Sequence, residues 1–169
     1  DGHEYTQTYQ RGKVTSELIK VRDCRGSGTS IQFTPDEEIF GIIEFDSELI
    51  LKRLEISAYL NKGLKIIFQN ESNASRIEMQ FEGGVADFLT KEIGSNTIVG
   101  KKPFIISKSG NPRLDLALCW TDDTSEKIHS FVNGIPTQDG GTHEQGLKDA
   151  ILRAIRTYLD TQKIPLPRG

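Results

Sequence analysis

The stretch Phe131-Val-Asn-Gly-Ile-Pro-Thr-Gln-Asp-Gly-Gly-Thr-His-Glu-Gln-Gly-Leu147 decides the fold of the C-terminal half of this chain. The apolar segment at about His129–Ile135 predicts a strand, and the Pro/Gly-rich residues after it predict a tight turn. Thr142 fits the N-cap of a helix over about His143–Asp160. One side of that helix is apolar and is expected to face a core. This side carries Leu147, Ala150, Ile151, Ala154, Ile155 and Tyr158.

The first part of the chain is predicted to consist of strands. Glu4–Gln10 and Ser16–Arg22 are predicted to pair as a hairpin across Arg11-Gly12-Lys13. Apolar and polar residues then alternate over Thr29–Thr34, which predicts a half-buried strand. A proline ends that strand, and a short turn of helix is predicted over 37–40.

A long helix and two further strands follow. The helix begins at Asp46 or Ser47, either of which can cap it, and Gly63 is a natural end. Leu64–Phe68 and Arg76–Phe81 are predicted strands on either side of a polar turn. Residues 1–82 therefore form the first predicted domain, and the glycine pair at 83–84 is the candidate joint.

The second predicted domain covers residues 83–169. It begins with a helix over Val85–Ile93 and a loop over 94–102. Phe104–Lys108 and Leu114–Thr121 are then predicted to pair as antiparallel strands. One face of the second strand carries Leu114, Leu116, Leu118 and Trp120. The mixture of helices and strands predicts an α+β chain.

Composition excludes several kinds of protein. No run approaches the roughly 20 apolar residues that span a bilayer. The net charge of −3 argues against a whole surface devoted to nucleic acid, so any DNA contact is expected to be local. Cys24 and Cys119 lie far apart and show no metal-ligand spacing. The start lacks Met and a signal pattern, which predicts a cytoplasmic chain beginning within a longer protein.

Three sets of polar residues each have two interpretations. The Gly26–Thr29 turn is either a plain loop or a ligand contact, because glycine lets backbone approach closely and the Thr29 hydroxyl suits an adenine edge. His143 beside Glu144 suggests acid/base chemistry, but adjacent helix residues point in different directions, which favours a structural turn. The exposed cations Lys148, Arg153 and Arg156 suit DNA phosphate, whereas Asp149 and Asp160 nearby favour a solvated mixed-charge face.

An ordered series of motifs resembles the B subunit of bacterial type IIA DNA topoisomerases, the family of gyrase and topoisomerase IV. It comprises Gly28-Thr29, Tyr59-Leu-Asn-Lys-Gly63, Glu82-Gly-Gly-Val85 and, most specific, Gly140-Gly-Thr-His143. The resemblance implies the C-terminal part of a GHKL (Bergerat) ATPase α/β sandwich over 1–82. It implies the N-terminal part of a transducer domain, with a ribosomal-protein-like βαβ fold, over 83–169.

The resemblance also implies a role in ATP-driven passage of DNA through DNA. Thr29 would help to hold adenine, with Gly28 and Ile31 near the same pocket. The full-length protein would use ATP and Mg²⁺, dimerise on binding ATP, and act with the A subunit on DNA. In this family the transducers border a cavity that admits DNA, which supports a DNA-facing role for Lys148, Arg153 and Arg156.

No catalytic residue is assigned. The family's Glu-x-x-x-Asn helix, Asp-x-Gly-x-Gly turn and glycine-rich lid are expected to lie outside the chain, which is therefore predicted to be inactive alone. One alternative is a truncated, non-catalytic paralogue that acts as an interaction or regulatory module. Topoisomerase IV is a second, although Tyr59–Gly63 favours gyrase. Other GHKL proteins, such as MutL and the ninety-kilodalton heat-shock chaperone, lack the Gly-Gly-Thr-His run.

Overall fold

The computed structural model describes residues 2–165 and confirms the α+β class. Within these residues, four helices accompany five antiparallel strand pairs. The chain forms two compact units, one up to Asp46 and one from Ser47 onward. The domain boundary at 82/83 stays a prediction.

The first unit contains the predicted hairpin, with each arm divided into two short strands. Strand β1 (His3–Thr6) pairs with β4 (Ile19–Asp23), and β2 (Tyr9–Gln10) pairs with β3 (Lys13–Val14). Arg11 and Gly12 form the two-residue turn, and both have positive φ, which matches the twist of paired strands.

A short helix follows in the same unit. Helix α1 (Glu37–Phe40) is capped by Asp36, whose carboxylate accepts a hydrogen bond from the Glu38 amide at 3.0 Å. The Arg11 guanidinium donates to Asp36 at 2.5 Å and to Glu38 at 2.7 Å. The hairpin turn is therefore fixed to the first turn of this helix.

The predicted strand over Thr29–Thr34 is wrong. Residues 27–36 form neither helix nor strand, and Ile31 is 81% exposed. A strand exists through hydrogen bonds to a neighbouring strand, and no described segment pairs with this one. Alternation of apolar residues indicates which side chains would share a face, but it does not supply the partner strand.

The second unit contains three helices and three hairpins. In chain order its elements are α2 (Ser47–Leu60), β5 (Ile66–Asn70), β6 (Ser75–Met79), α3 (Val85–Ile93), β7 (Ile98–Lys108), β8 (Leu114–Thr121), β9 (Phe131–Val132), β10 (Ile135–Pro136) and α4 (Thr142–Thr161). β5 pairs with β6, β7 with β8, and β9 with β10. These bounds agree with the predicted helices to within two residues at each end, except that α2 ends before Gly63.

Two strand predictions need correction. β7 begins at Ile98, within the predicted loop, and an irregularity between Val99 and Phe104 separates its two paired parts. The predicted single strand at 129–135 is instead a hairpin that turns at Asn133-Gly134, where both residues have positive φ. Asn-Gly between apolar residues is a strong hairpin signal, so the sequence already contained this information.

Tyr59 lies at the centre of the packed core. Its side chain is 6% exposed and stacks on Phe81 with ring centroids 3.7 Å apart. The ring of Phe88 in α3 lies 5.4 Å from the Tyr59 ring. At the surface, Lys91 of α3 forms an ion pair with Glu55 of α2 at 2.6 Å, which adds a second contact between these two helices. Helices α2 and α3 are thereby held together, and α2 also packs against β5 while α3 packs against β8.

Much apolar surface outside this core is uncovered. No described residue of α4 is buried, and Tyr158 on its apolar side is 61% exposed. Leu114 and Trp120, predicted to share one face of β8, are also exposed. The apolar patterns identified side chains that share a face. They do not show whether another element covers that face, and in the described residues much of it is exposed.

We expect Tyr59→Ala to reduce the free energy of unfolding by about 3 kcal/mol, because it opens a cavity beside Phe81 and Phe88. Urea unfolding measures this loss. Tyr158→Ala removes the same atoms from an exposed site and is expected to change stability by less than about 0.5 kcal/mol. Equal effects from the two variants would contradict the central role of Tyr59.

Glu78 gives a prediction for pH. Lys65 at 2.7 Å, and secondarily Arg76 at 2.8 Å, lower the pKa of its carboxyl from an ordinary 4.5 to about 2. A lowered folded-state pKa contributes stability that is present above pH 4.5 and is lost as the pH falls toward 2. Thermal unfolding across this window should depend less steeply on pH in Glu78→Gln. Glu71→Gln, in the turn of the same hairpin, should retain the slope of the parent protein.

Candidate functional site

The predicted adenine-contact residues lie together on an exposed segment of the first unit. Gly28, Thr29 and Ile31 are all exposed, and an added Cβ on Gly28 would meet no atom within 4 Å. An apolar cavity of about 320 Å³ lies further along the same unit, lined by residues from Phe33 to Phe45. The three predicted residues are not part of that lining. They form an open, exposed surface.

The Gly140-Gly141 pair is needed for a close approach of side chains. Gly140 has a φ of +69°, and a Cβ there would lie 3.1 Å from the Glu144 carboxylate. A Cβ on Gly141 would lie 2.8 Å from the His143 ring, closer than real Cβ atoms are found. The two glycines therefore make room for the side chains that fold back from the first turn of α4.

Thr142 is not the N-cap of this helix, contrary to the prediction. Gly141 occupies the N-cap position and Thr142 is the first helical residue. The Glu144 and Gln145 amides donate to the Gly141 carbonyl at 3.1 and 3.3 Å. With the tight two-glycine connection, the helix begins at Thr142, one residue earlier than predicted. Thr142 therefore does not occupy the N-cap position, where its hydroxyl could cap the helix.

A cluster of hydrogen bonds joins the β9–β10 hairpin to this first turn. The Ser130 hydroxyl donates to the Glu144 carboxylate, and the Thr137 hydroxyl donates to the Ser130 carbonyl at 3.1 Å. His143 Nε2 lies 3.3 Å from the Thr137 hydroxyl. Both His143 and Glu144 contact the hairpin rather than each other, which supports the structural interpretation of the motif over acid/base chemistry.

Ser130 and Thr137 were not singled out from the sequence. Both line up because the hairpin brings residues 130 and 137 opposite each other, and the Thr137 amide donates to the Ser130 carbonyl at 2.9 Å. The Asn133-Gly134 turn was the signal that could have placed them side by side.

The cations of α4 differ in their surroundings. Lys148 Nζ lies 2.6 Å from Glu126 Oε1, and that hydrogen bond raises the pKa of Lys148. Arg153 donates to the Asp149 carbonyl at 3.3 Å. Within residues 2–165, neither Arg153 nor Arg156 forms a salt bridge with a carboxylate. All three cations are exposed.

One pair has the spacing of the Glu-x-x-x-Asn motif that is expected to lie outside the chain. Glu92 and Asn96 are four residues apart, but α3 ends at Ile93, so the two residues do not share a helix. The Glu92 carboxylate lies 3.1 Å from His129 Nε2. The match is therefore one of spacing only, since the motif requires both side chains on one helix.

The described part of the chain has neither a metal-binding cluster nor a membrane-spanning helix. No group of three or more His, Cys, Asp and Glu side chains there could hold a metal ion. None of the described helices has the length and hydropathy needed to cross a membrane.

Comparison with known proteins identifies the family. The model of the DNA gyrase B family matches residues 84–166. The B subunit of Clostridium acetobutylicum DNA gyrase is 39% identical over 160 residues, which are 94% of this chain and 25% of that relative. The B subunit of Mycoplasma capricolum DNA topoisomerase 4 is 37% identical over 153 residues, 90% of this chain and 24% of that relative. The chain therefore spans about a quarter of the length of these relatives.

Solved structures give the same result. The 43K ATPase domain of Thermus thermophilus gyrase B, in complex with an aminocoumarin, matches with a TM-score of 0.81 and 30% identity over 100% of this chain and 47% of that one. The ATP-binding domain of Francisella tularensis topoisomerase IV matches with a TM-score of 0.75 and 28% identity over 95% of this chain and 44% of that one. These matches confirm the GHKL–transducer fold class. The chain belongs to the family of bacterial type IIA DNA topoisomerase B subunits, that of DNA gyrase and topoisomerase IV, and corresponds to part of its ATPase region.

Proposed function

We propose that this chain is the part of a gyrase-type B subunit that links ATP binding to DNA strand passage. Residues 1–82 would complete the ATPase domain, and residues 83–169 would begin the transducer. The observation that carries the proposal is a continuous match to one gyrase B ATPase domain across both proposed domains. The protein would act in the cytoplasm.

The segment around Thr29 would form part of the adenine pocket wall. Gly28 leaves its surroundings open, Thr29 offers a hydroxyl that can donate and accept, and Ile31 is an exposed apolar side chain beside them. These residues fit one edge of a nucleotide site, and ATP would supply the hydrolysable phosphate. The proposal places the general base and the Mg²⁺ ligands outside residues 2–165.

The packing of the second unit would carry the signal. Because α2 and α3 are fixed together through Tyr59 and the Glu55–Lys91 ion pair, a displacement of α2 is expected to move α3 with it. ATP binding can drive such a displacement only by favouring one arrangement over the other. Two copies of the protein would close around DNA when ATP binds, and hydrolysis would reset them.

The exposed side of α4 would face DNA. Lys148, Arg153 and Arg156 are exposed cations on one helix, and phosphate contacts of this kind position DNA without reading its sequence. The A subunit is the proposed partner that supplies DNA cleavage.

Topoisomerase IV is the second candidate, because the B subunit of a topoisomerase 4 is nearly as similar as the gyrase relatives. A non-catalytic paralogue is the third. The native reading frame on both sides of the chain distinguishes the third from the first two. Intact Glu-x-x-x-Asn and Asp-x-Gly-x-Gly motifs upstream would support the enzyme. So would a downstream Gln-Thr-Lys loop, the transducer loop of this family whose Lys reaches the ATP γ-phosphate. Degraded motifs would support the paralogue.

The isolated 169-residue chain is expected to show no ATP hydrolysis, because no described residue is placed as the general base. A phosphate-release assay on repurified chain measures this, with the full-length protein as the positive control. Hydrolysis that survives repurification and is lost in Thr29→Ala would refute the expectation.

Thr29→Ala in the full-length protein is expected to weaken nucleotide binding by about 1–3 kcal/mol, the usual cost of removing one hydrogen-bond partner that the bound nucleotide would bury. Calorimetric titration with a non-hydrolysable ATP analogue measures the change. Ser30→Ala removes the neighbouring hydroxyl and should leave the affinity nearly unchanged. If both variants bind like the parent protein, Thr29 does not contact the nucleotide.

A further inference from the structure

The exposed cations Lys148, Arg153 and Arg156 form what we call the cation face of α4. Glu126 is the carboxylate that contacts this face. It belongs to the segment between β8 and β9, and its Oε1 lies 2.6 Å from Lys148 Nζ. Both side chains are exposed, at 66% for Glu126 and 44% for Lys148. The pair therefore lies where a ligand can reach it, and it is not part of a packed interior.

The charges around Lys148 come from two elements. Glu126 contributes the direct contact, and Glu144, one turn earlier on α4, adds a weaker attraction. Lys127, next to Glu126, pairs instead with Asp123 at 3.7 Å. Of the three cations on this side of α4, Lys148 is the one that carries a salt bridge within the described chain.

We propose that Glu126 sets the affinity of this face for DNA by competing with backbone phosphate for Lys148. The inference rests on the DNA contact proposed above and adds to it a residue that lowers affinity. A phosphate that approaches Lys148 must either displace the carboxylate or bind next to its negative charge. Either route weakens the contact relative to a free ammonium group.

The expected effect is small because the pair is exposed. Exposed ion pairs are screened by solvent and salt and are weak, which corresponds to about a two- to fivefold change in an equilibrium constant. Glu126 can therefore be displaced by DNA that is already held by other contacts. Glu126 would weaken the binding of DNA that makes few other contacts, while still allowing DNA captured in the closed dimer to bind.

Fluorescence anisotropy of a short DNA duplex tests the proposal, using the full-length protein with a non-hydrolysable ATP analogue over a series of salt concentrations. Glu126→Gln should bind about two- to fivefold more tightly than the parent at low salt, and the gain should shrink as salt rises. Lys148→Ala should bind more weakly. In the double variant the gain from Glu126→Gln should disappear, because its target is gone.

Asp123→Asn is the matched control. It removes one negative charge from the same segment, but that carboxylate contacts Lys127 and not Lys148. A specific competition predicts that this variant gains less than Glu126→Gln. Circular dichroism of each variant verifies that the fold is retained.

Three results would overturn the inference while leaving the DNA face in place: no gain from Glu126→Gln, an equal gain from Asp123→Asn, or a gain that persists without Lys148. Each is distinguishable from a failure of the proposed function. If Lys148→Ala and the equivalent changes at Arg153 and Arg156 all bind like the parent, the DNA contact itself is absent, and the inference falls with it.

Discussion

The stacking of Tyr59 on Phe81 is the contact on which the second unit depends. It joins the end of α2 to the segment that follows β6, and Phe88 of α3 also lies near the Tyr59 ring. Gly84 is buried between them, with a φ of +62°, and a Cβ there would lie 3.4 Å from the Tyr59 carbonyl. Gly84 is therefore a close-packed position, whereas Gly83 is exposed, and Gly84 couples the helices on either side of it.

The packing continues from this contact toward α4 but becomes more polar. Phe88 lies against His129 and Phe131, which lead into the β9–β10 hairpin. From there the contacts are the hydrogen bonds of Ser130 and Thr137 to the first turn of α4. The rest of the helix leaves its apolar side open. Such a face is expected in a chain that matches about half of a solved ATPase domain.

Electrostatics add little to the fold and more to the proposed function. The ion pairs at Lys65–Glu78 and Lys148–Glu126 are both exposed, so solvent screens them and their contribution to stability is small. Their effect on local charge is larger. In the proposed DNA-facing side of α4, one carboxylate would decide how much of the positive charge is available to an incoming phosphate.

The sequence by itself determined the family, the α+β class and all four described helices, because glycine pairs, caps and apolar periodicity are local signals. It also contained the Asn133-Gly134 hairpin, which the apolar pattern alone concealed. Tertiary structure decided the rest. Thr29–Thr34 has strand alternation without a strand, because no described strand pairs with it. Likewise, the contact of Glu126 with Lys148 joins residues 22 positions apart, and no local pattern can predict which carboxylate a lysine will meet.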